Sequence, residues 1–428
     1  MASAARRRLA AASLRPTVTR KHRPDYRLML FMGLLVLVGL MVLFAISPYQ
    51  IHKINADGGN VDQTHFMFKQ LLYLGIGLSA FGVTAALPIT FWKRHSGKII
   101  VAAIGLCVLL ALLGAARLAP AMCFNGACRW FNLGFTSFQP AEFLKFAMLV
   151  FVAGFLGARM QKRSIDDLSE TLIPLGILVA VAGLLVIGLQ KDMGTGLTML
   201  GVVGTMLIVS GLSKRMMLMT GGGALAVGVL FILFSPHRIE RIMTFANSAN
   251  ATDASSYHIE MAKVAIGSGG LFGRGLGGGV QAFGYLPEAL NDSIFAVLGE
   301  IFGFAGLLVI LALFAVLLKR LIEMIDRLED TTMKMLVAGV FGWIATHVVV
   351  NIGAMTGIFP LTGVTLPFLS FGGTSLLFMM AALGIAYNIS RFTHHNYGKV
   401  TAERSSDETT RSGRRLGRSR YASTRHHQ

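Results

Sequence analysis

The sequence predicts an all-α polytopic membrane protein: about ten transmembrane helices, with a large extracytoplasmic loop between helices seven and eight. Three observations carry this. Of 428 residues, 54% are apolar and only 14% charged, whereas a soluble domain carries about 25% charged residues. The apolar residues gather into runs near the roughly 20 residues that a helix needs to cross a bilayer. Lys and Arg favour alternate loops between those runs, as the positive-inside rule requires.

The runs lie near residues 28–47, 67–89, 99–116, 139–157, 171–189, 195–212, 216–234, 292–318, 333–354 and 367–390. None shows the ten-residue alternation of membrane strands. With the N-terminus inside, the cytoplasmic loops hold Lys93, Arg94 and Lys98, then Arg159, Lys162 and Arg163, then Lys214 and Arg215, then Lys319, Arg320, Arg327 and Lys334. The opposite loops before residue 236 hold only Lys53, Arg117, Arg129 and Lys191. Both termini are therefore expected in the cytoplasm. The first run is long enough to span, so it does not read as a cleavable signal.

A net charge of +18 raises nucleic-acid binding, but its placement argues against that. Residues 1–27 hold eight Lys/Arg and residues 391–428 hold nine, together 17 of 39. These two polar tails flank the membrane domain, 28–390, and are expected to be disordered. Their charge suits anionic lipid or a cytosolic partner.

Cys107 lies inside a span and reads as inert packing. Cys123 and Cys128 flank "FNGA" in a loop placed outside by the charge rule. An oxidising exterior favours a disulfide there, and no His or acid nearby suggests a metal.

Residues 235–291 form the long loop, and such loops are usually functional. Its "GRGLGG" matches a dinucleotide fingerprint but follows no strand, so turns or close backbone packing explain it better. "YHIEMAKVAI" reads as an amphipathic helix on the membrane surface. Arg238 and Arg241 share one face if helical; they either anchor to lipid phosphate or bind a phosphate or pyrophosphate ligand. Three acids close the loop: Glu288, Asp292 and Glu300. Pro287 and Glu288 look like a helix start, and Asn291, Asp292 or Ser293 could cap span eight. Glu300, inside the run, must be paired, protonated or on a polar cavity. It marks an interior face to which Asp292 and Glu288 should also point. Glu142 and Lys145 are expected to pair inside span four, and Asp192 reads as a turn or cap.

Together these segments resemble the SEDS family of cell-wall polymerases, which includes FtsW and RodA. The matching pieces are "RWFNLGFTSFQPAEFLKF", "DMGTG", "AIGSGGLFGRGLG", "YLPEALND", "FAVLGEIFGFAG" and "NIGAMTGIFPLTGVTLPFLSFGGTSLL", in family order over roughly residues 28–392. The resemblance implies a ten-span fold and peptidoglycan glycosyltransferase activity on lipid II; displacement at the anomeric carbon should invert it. The acid closing the family's "PEAxxD" motif, the essential one, is Asp292 here. The chain departs from the family at Leu290-Asn291 before that Asp, at "QPAE", "QKDMGT" and "GGTS", at Ala282, and at Cys128. The basic tails favour the division-associated FtsW branch over RodA. A class B penicillin-binding protein and other divisome membrane proteins are the implied partners, with the active loop outside the cytoplasmic membrane, at the septum. Rival readings are a lipid II flippase and a non-enzymatic scaffold.

In the polymerase reading Asp292 is the general base. Arg238, Arg241 and Lys263 would meet the leaving pyrophosphate. Arg129, Gln139, Glu142, Lys145 and Glu288 are further candidates for binding substrate, and Glu300, Asp192 and Ser370 for shaping the cavity. No organic cofactor is expected. A divalent cation, Mg²⁺ or Mn²⁺, has a place in the scheme, with Asp292 and Glu288 as candidate ligands.

Overall fold

The structure, a computed structural model, describes residues 23–56, 58–124, 126–134, 136–233 and 254–392. Residues 1–22 and 393–428 of the two tails, and with them the tails' expected disorder, lie outside the described residues, as do Arg238 and Arg241.

Helices form where the apolar runs are. They are α1 (Tyr26–Ala56), α2 (His65–Ala86), α3 (Ile89–Ala115), α4 (Pro140–Gln161), α5 (Leu168–Leu189, π-helical at both ends), α6 (Met193–Val209) and α7 (Lys214–Leu233). After these come the short α8 (Ala254–Ser268), then α9 (Ile294–Arg327), α10 (Thr331–Met355) and α11 (Gly373–Ile389). Among the described residues eight helices are long and apolar enough to cross a membrane. The two other expected positions are filled by α6, which has only 17 residues, and by α7. The protein is a helical polytopic membrane protein, as expected.

Three helices are central. The apolar windows of α4, α10 and α11 are 72%, 72% and 78% buried, against 22% for α2 and 28% for α3 and α5, whose outer faces remain for lipid. Small residues let the central helices approach closely. A Cβ on Gly342 would lie 2.7 Å from Thr205 Oγ1 of α6, and one on Gly384 would lie 2.1 Å from Thr84 Oγ1 of α2.

A three-stranded antiparallel sheet interrupts the all-α expectation: β1 (Ala121–Phe124), β2 (Ala127–Asn132) and β3 (Ser137–Phe138). It occupies the loop between α3 and α4. Cys123 and Cys128 pair across the β1–β2 hairpin and form a disulfide. The sulfurs pack on the end of α3, where a Cβ on Gly114 would lie 2.6 Å from Cys128 Sγ.

α9 has 34 residues, about 51 Å at 1.5 Å per residue, far more than a bilayer core of about 30 Å. It breaks at Gly303 (φ 65°, ψ −169°). The glycine-rich segment after α8 threads into the break. Arg274 N and Gly275 N donate to the carbonyls of Glu300 and Ile301, and Phe304 N and Ala305 N donate to those of Gly270 and Leu271. Main-chain groups freed from the helix are thus satisfied within the protein, as they must be at membrane depth. Close backbone packing therefore accounts for "GRGLGG". A Cβ on Gly303 would lie 2.3 Å from Gly273 N. Gly303→Ala is expected to destabilise by about 2–5 kcal/mol, from the backbone region it cannot adopt plus the overlap. A fall in detergent thermal midpoint measures it; an unchanged midpoint would show that the break can close.

Candidate functional site

The connections α3–α4, α5–α6, α8–α9 and α10–α11 meet at one end of the bundle. The acids of the α8–α9 connection do not stack on one helix face, contrary to the sequence expectation. Residues 286–293 form turns, α9 begins only at Ile294, and Glu288 has a left-handed backbone (φ 50°). Pro287 starts no helix. Ser293 precedes α9 without a side-chain capping bond, and Asp292 makes no such bond either. The Asp292 carboxylate is therefore not used as a cap.

The main chain around Asp292 is held from three sides. Leu290 O accepts from Phe371 N (2.8 Å) of the α10–α11 connection. Asp292 O accepts from Asn351 Nδ2 (2.7 Å) of α10. Ser293 Oγ accepts from His258 Nε2 of α8 and donates to Pro287 O (2.8 Å). Burial holds the His258 imidazole below its ordinary pKa, with partial opposition from Glu288. One carboxylate oxygen, Asp292 Oδ1, is buried and meets no donor among the described groups. Burial pushes the Asp292 pKa up to about 7, and the neighbouring Glu288 carboxylate adds to the rise. Glu288 is exposed and accepts from Asn291 Nδ2 (2.6 Å).

Glu300 lies elsewhere. Fully buried, its carboxylate accepts from three successive main-chain N–H groups, Val280 (2.6 Å), Gln281 (2.9 Å) and Ala282 (2.7 Å). It fastens the glycine-rich segment to α9 and does not share a face with Asp292.

Beneath Asp292 lies a buried ionic cluster. Lys145 Nζ of α4 donates to Glu142 Oε1 (2.8 Å) and to His347 Nε2 (3.0 Å) of α10, and sits 5.0 Å from the Trp343 ring centroid. Trp343 Nε1 also donates to His347 Nε2 (3.1 Å). An indole N–H and an ammonium can only donate, so Nε2 accepts and His347 is neutral, with its proton on Nδ1. Nδ1 then donates to Thr365 O (3.0 Å). The expected Glu142–Lys145 pair is thus present, extended by a histidine that the sequence reading passed over.

Other predicted residues serve neighbouring scaffold. Asp192 caps α6, accepting from Thr195 N and Oγ1 (3.0 and 2.9 Å), and also accepts from Gln139 Nε2 (2.9 Å). Arg129 donates to the carbonyls of Gln190 (3.1 Å) and Lys191 (2.8 Å), closing the end of α5. Ser370 Oγ accepts from Leu366 N (2.8 Å) within the α10–α11 connection. Lys263 is exposed on α8, its ammonium lying over Gly357 just beyond α10. His258, His347 and Asn351 were not singled out from sequence, and Ser293 only as a possible cap. Trp343, His347 and Asn351 recur every fourth residue of an apolar run, the one signal that could have found two of them.

Among the described residues no three or more His, Cys, Asp or Glu come together as metal ligands. Asp292 and Glu288 are a two-carboxylate set of hard oxygen donors.

A family model described as "Cell cycle protein", for FtsW, RodA and SpoVE, matches residues 26–395. Stage V sporulation protein E of Bacillus subtilis is 36% identical over 88% of this chain and 100% of its own length. A probable peptidoglycan glycosyltransferase FtsW of Coxiella burnetii is 34% identical over 77% of this chain and 88% of its own. Among solved structures, a chain from work on the coordination of polymerization and crosslinking by a peptidoglycan synthase complex superposes with a TM-score of 0.69 (26% identity, 86% of this chain, 98% of that one). The rod shape determining protein RodA of Thermus thermophilus gives 0.61 (26% identity, 87% and 98%). With a family match over most of its length, and with these helices in this order, the chain belongs to the FtsW/RodA/SpoVE family of cell cycle proteins.

Proposed function

We propose that the protein is a peptidoglycan glycosyltransferase that polymerises lipid II, with Asp292 as general base. One observation carries the role of Asp292: a carboxylate whose main chain is held from three sides, yet whose Oδ1 meets no donor among the described residues. The glycosyltransferase names of the relatives support the activity.

In the reaction, the 4-hydroxyl of the acceptor sugar attacks the anomeric carbon of the donor. The new C–O bond forms as the bond to undecaprenyl pyrophosphate breaks, and the pyrophosphate leaves with the electron pair. Asp292 takes the hydroxyl proton. A positioned base contributes roughly 10²–10⁴-fold. In-line displacement inverts the anomeric centre. Arg238, Arg241 and Lys263 would balance the leaving charge. Asp292 and Glu288, hard oxygen donors, are the residues that would hold Mg²⁺ or Mn²⁺, which would supply further positive charge there.

The same reading places the protein in the bacterial cytoplasmic membrane, both termini inside and the Asp292 end outside. Likeness to a chain of a peptidoglycan synthase complex supports a class B penicillin-binding protein as partner. The FtsW relatives and the basic tails favour a septal role over elongation.

The test supplies lipid II to the purified protein with its class B partner and reads glycan chains on a gel. Polymer is expected. Translocation across liposomes without polymer would instead favour a flippase. The pH dependence has a defined sign. A base must be ionised, so with the Asp292 pKa near 7 the rate climbs about tenfold per pH unit below that value and levels above it. A flat profile from about pH 5 to 8 would count against Asp292 as base.

A further inference from the structure

We propose that Asn351 is a positioning residue for the reaction, holding the Asp292 turn and the facing α10–α11 connection in one fixed arrangement. The inference rests on Asp292 being the base.

Asn351 is buried within an apolar stretch of α10. A buried amide is costly unless its hydrogen bonds are made, so its presence there calls for a purpose. Both bonds of Nδ2 go to main-chain carbonyls far apart in sequence: Asp292 O and Val364 O, each at 2.7 Å. One –NH₂ group thus ties the turn that carries the reactive carboxylate to the segment opposite it. That segment faces the carboxylate directly. Gly363 (φ 69°) lies beside Asp292, and a Cβ there would stand 3.9 Å from Asp292 Oδ2.

The orientation of the amide follows from its partners. Turned over, Oδ1 would face two carbonyl oxygens, so the –NH₂ must point at them. Oδ1 is then left without a donor, and none reaches it among the described groups. The cost of that orphan acceptor is accepted for the sake of the two bonds.

The helix that presents Asn351 is itself braced. One turn earlier, His347 donates to Thr365 O, the residue after Val364, and is in turn held by Lys145 and Trp343. Ser370 Oγ then receives Leu366 N. Three consecutive residues, Val364, Thr365 and Leu366, are pinned in this way, so the wall opposite Asp292 cannot drift alone. Asn351 is the link that extends this bracing to Asp292, since no other side chain donates to the Asp292 carbonyl among the described residues.

The test compares Asn351→Leu, Asn351→Gln and Asp292→Asn in the full-length protein with its class B partner, using lipid II as substrate. Leucine fills similar volume with no donor; glutamine keeps the –NH₂. Asn351→Leu is expected to lower kcat by about 10–100-fold, since small misplacements of a reacting group cost on this order. KM for lipid II should change less than about twofold, because the Asn351 amide is spent on two main-chain carbonyls and not on substrate. Asn351→Gln should recover turnover severalfold over leucine. If the leucine variant fails to fold, Asn351→Ser is read in its place. Turnover within about twofold of wild type, or a glutamine variant no better than leucine at equal folded yield, would overturn the proposal. Asp292→Asn separates the two ideas. If it is inactive while Asn351→Leu is unaffected, only the positioning role fails; if it polymerises normally, the base assignment fails first.

Discussion

Asp292→Asn abolishes glycan polymerisation, a loss of at least about 10²-fold, while the protein folds and reaches the membrane. Asparagine keeps the shape of the side chain and removes the proton acceptor, so the loss reports chemistry and not packing. Stability gives an independent check with a definite sign. Folding raises the Asp292 pKa from 3.8 to about 7. A raised pKa means that the folded protein holds the proton more tightly than the unfolded chain. The stabilisation from that proton is complete below about pH 4 and is lost as pH rises through about 7. Above that, wild type carries a buried charge beside Glu288, and the asparagine variant does not. Thermal melts at pH 8 should therefore find Asp292→Asn at least as stable as wild type. A variant that is inactive but also less stable at pH 8 would mean that the carboxylate holds the turn together.

Lys145→Leu is expected to be among the most destabilising single substitutions in the chain, at about 3–5 kcal/mol. It leaves the Glu142 carboxylate buried with no partner for Oε1, while Oε2 already lacks one. His347 Nε2 would keep only the Trp343 donor. The double substitution Glu142→Leu, Lys145→Leu removes both charges and should recover most of that loss, because the uncompensated charge and not the missing bond dominates the cost. Folded yield and thermal midpoint in detergent measure both variants. A double variant worse than the single would show instead that shape or the Lys145–Trp343 contact sets the stability.

The helical skeleton was legible because a bilayer forces each crossing to be a long apolar run, and runs are local. Spans four and eight to ten sit where the runs predicted them, as do Asp292 at the edge of α9 and the Glu142–Lys145 pair at i, i+3. Other features were not local. The break of α9 at Gly303 falls inside an unbroken apolar run, and only the segment threaded into it shows why the helix stops. The hairpin of β1 and β2 was missed although the sequence there reads Asn125-Gly126, a strong hairpin signal. Glu300 read as a wall of the Asp292 cavity because a helix was drawn through residues 288–300. With turns up to Ser293, its carboxylate meets three backbone N–H groups instead.

By itself, then, the sequence determined the membrane class and the order of the helices and favoured the Cys123–Cys128 disulfide, and the family resemblance of its short motifs pointed to Asp292. These follow from hydropathy, charge asymmetry and short motifs, which act over one or two helical turns. The tertiary structure alone decided which polar groups are spent and which are free. Arg129 and Asp192 go to helix ends, Glu300 to a backbone nest and Lys145 to a buried histidine, whereas Asp292 Oδ1 keeps no protein partner. Several of these buried polar groups find partners remote in the chain, 59 residues away for Asn351 and Asp292. Such partners become neighbours only when the helices pack.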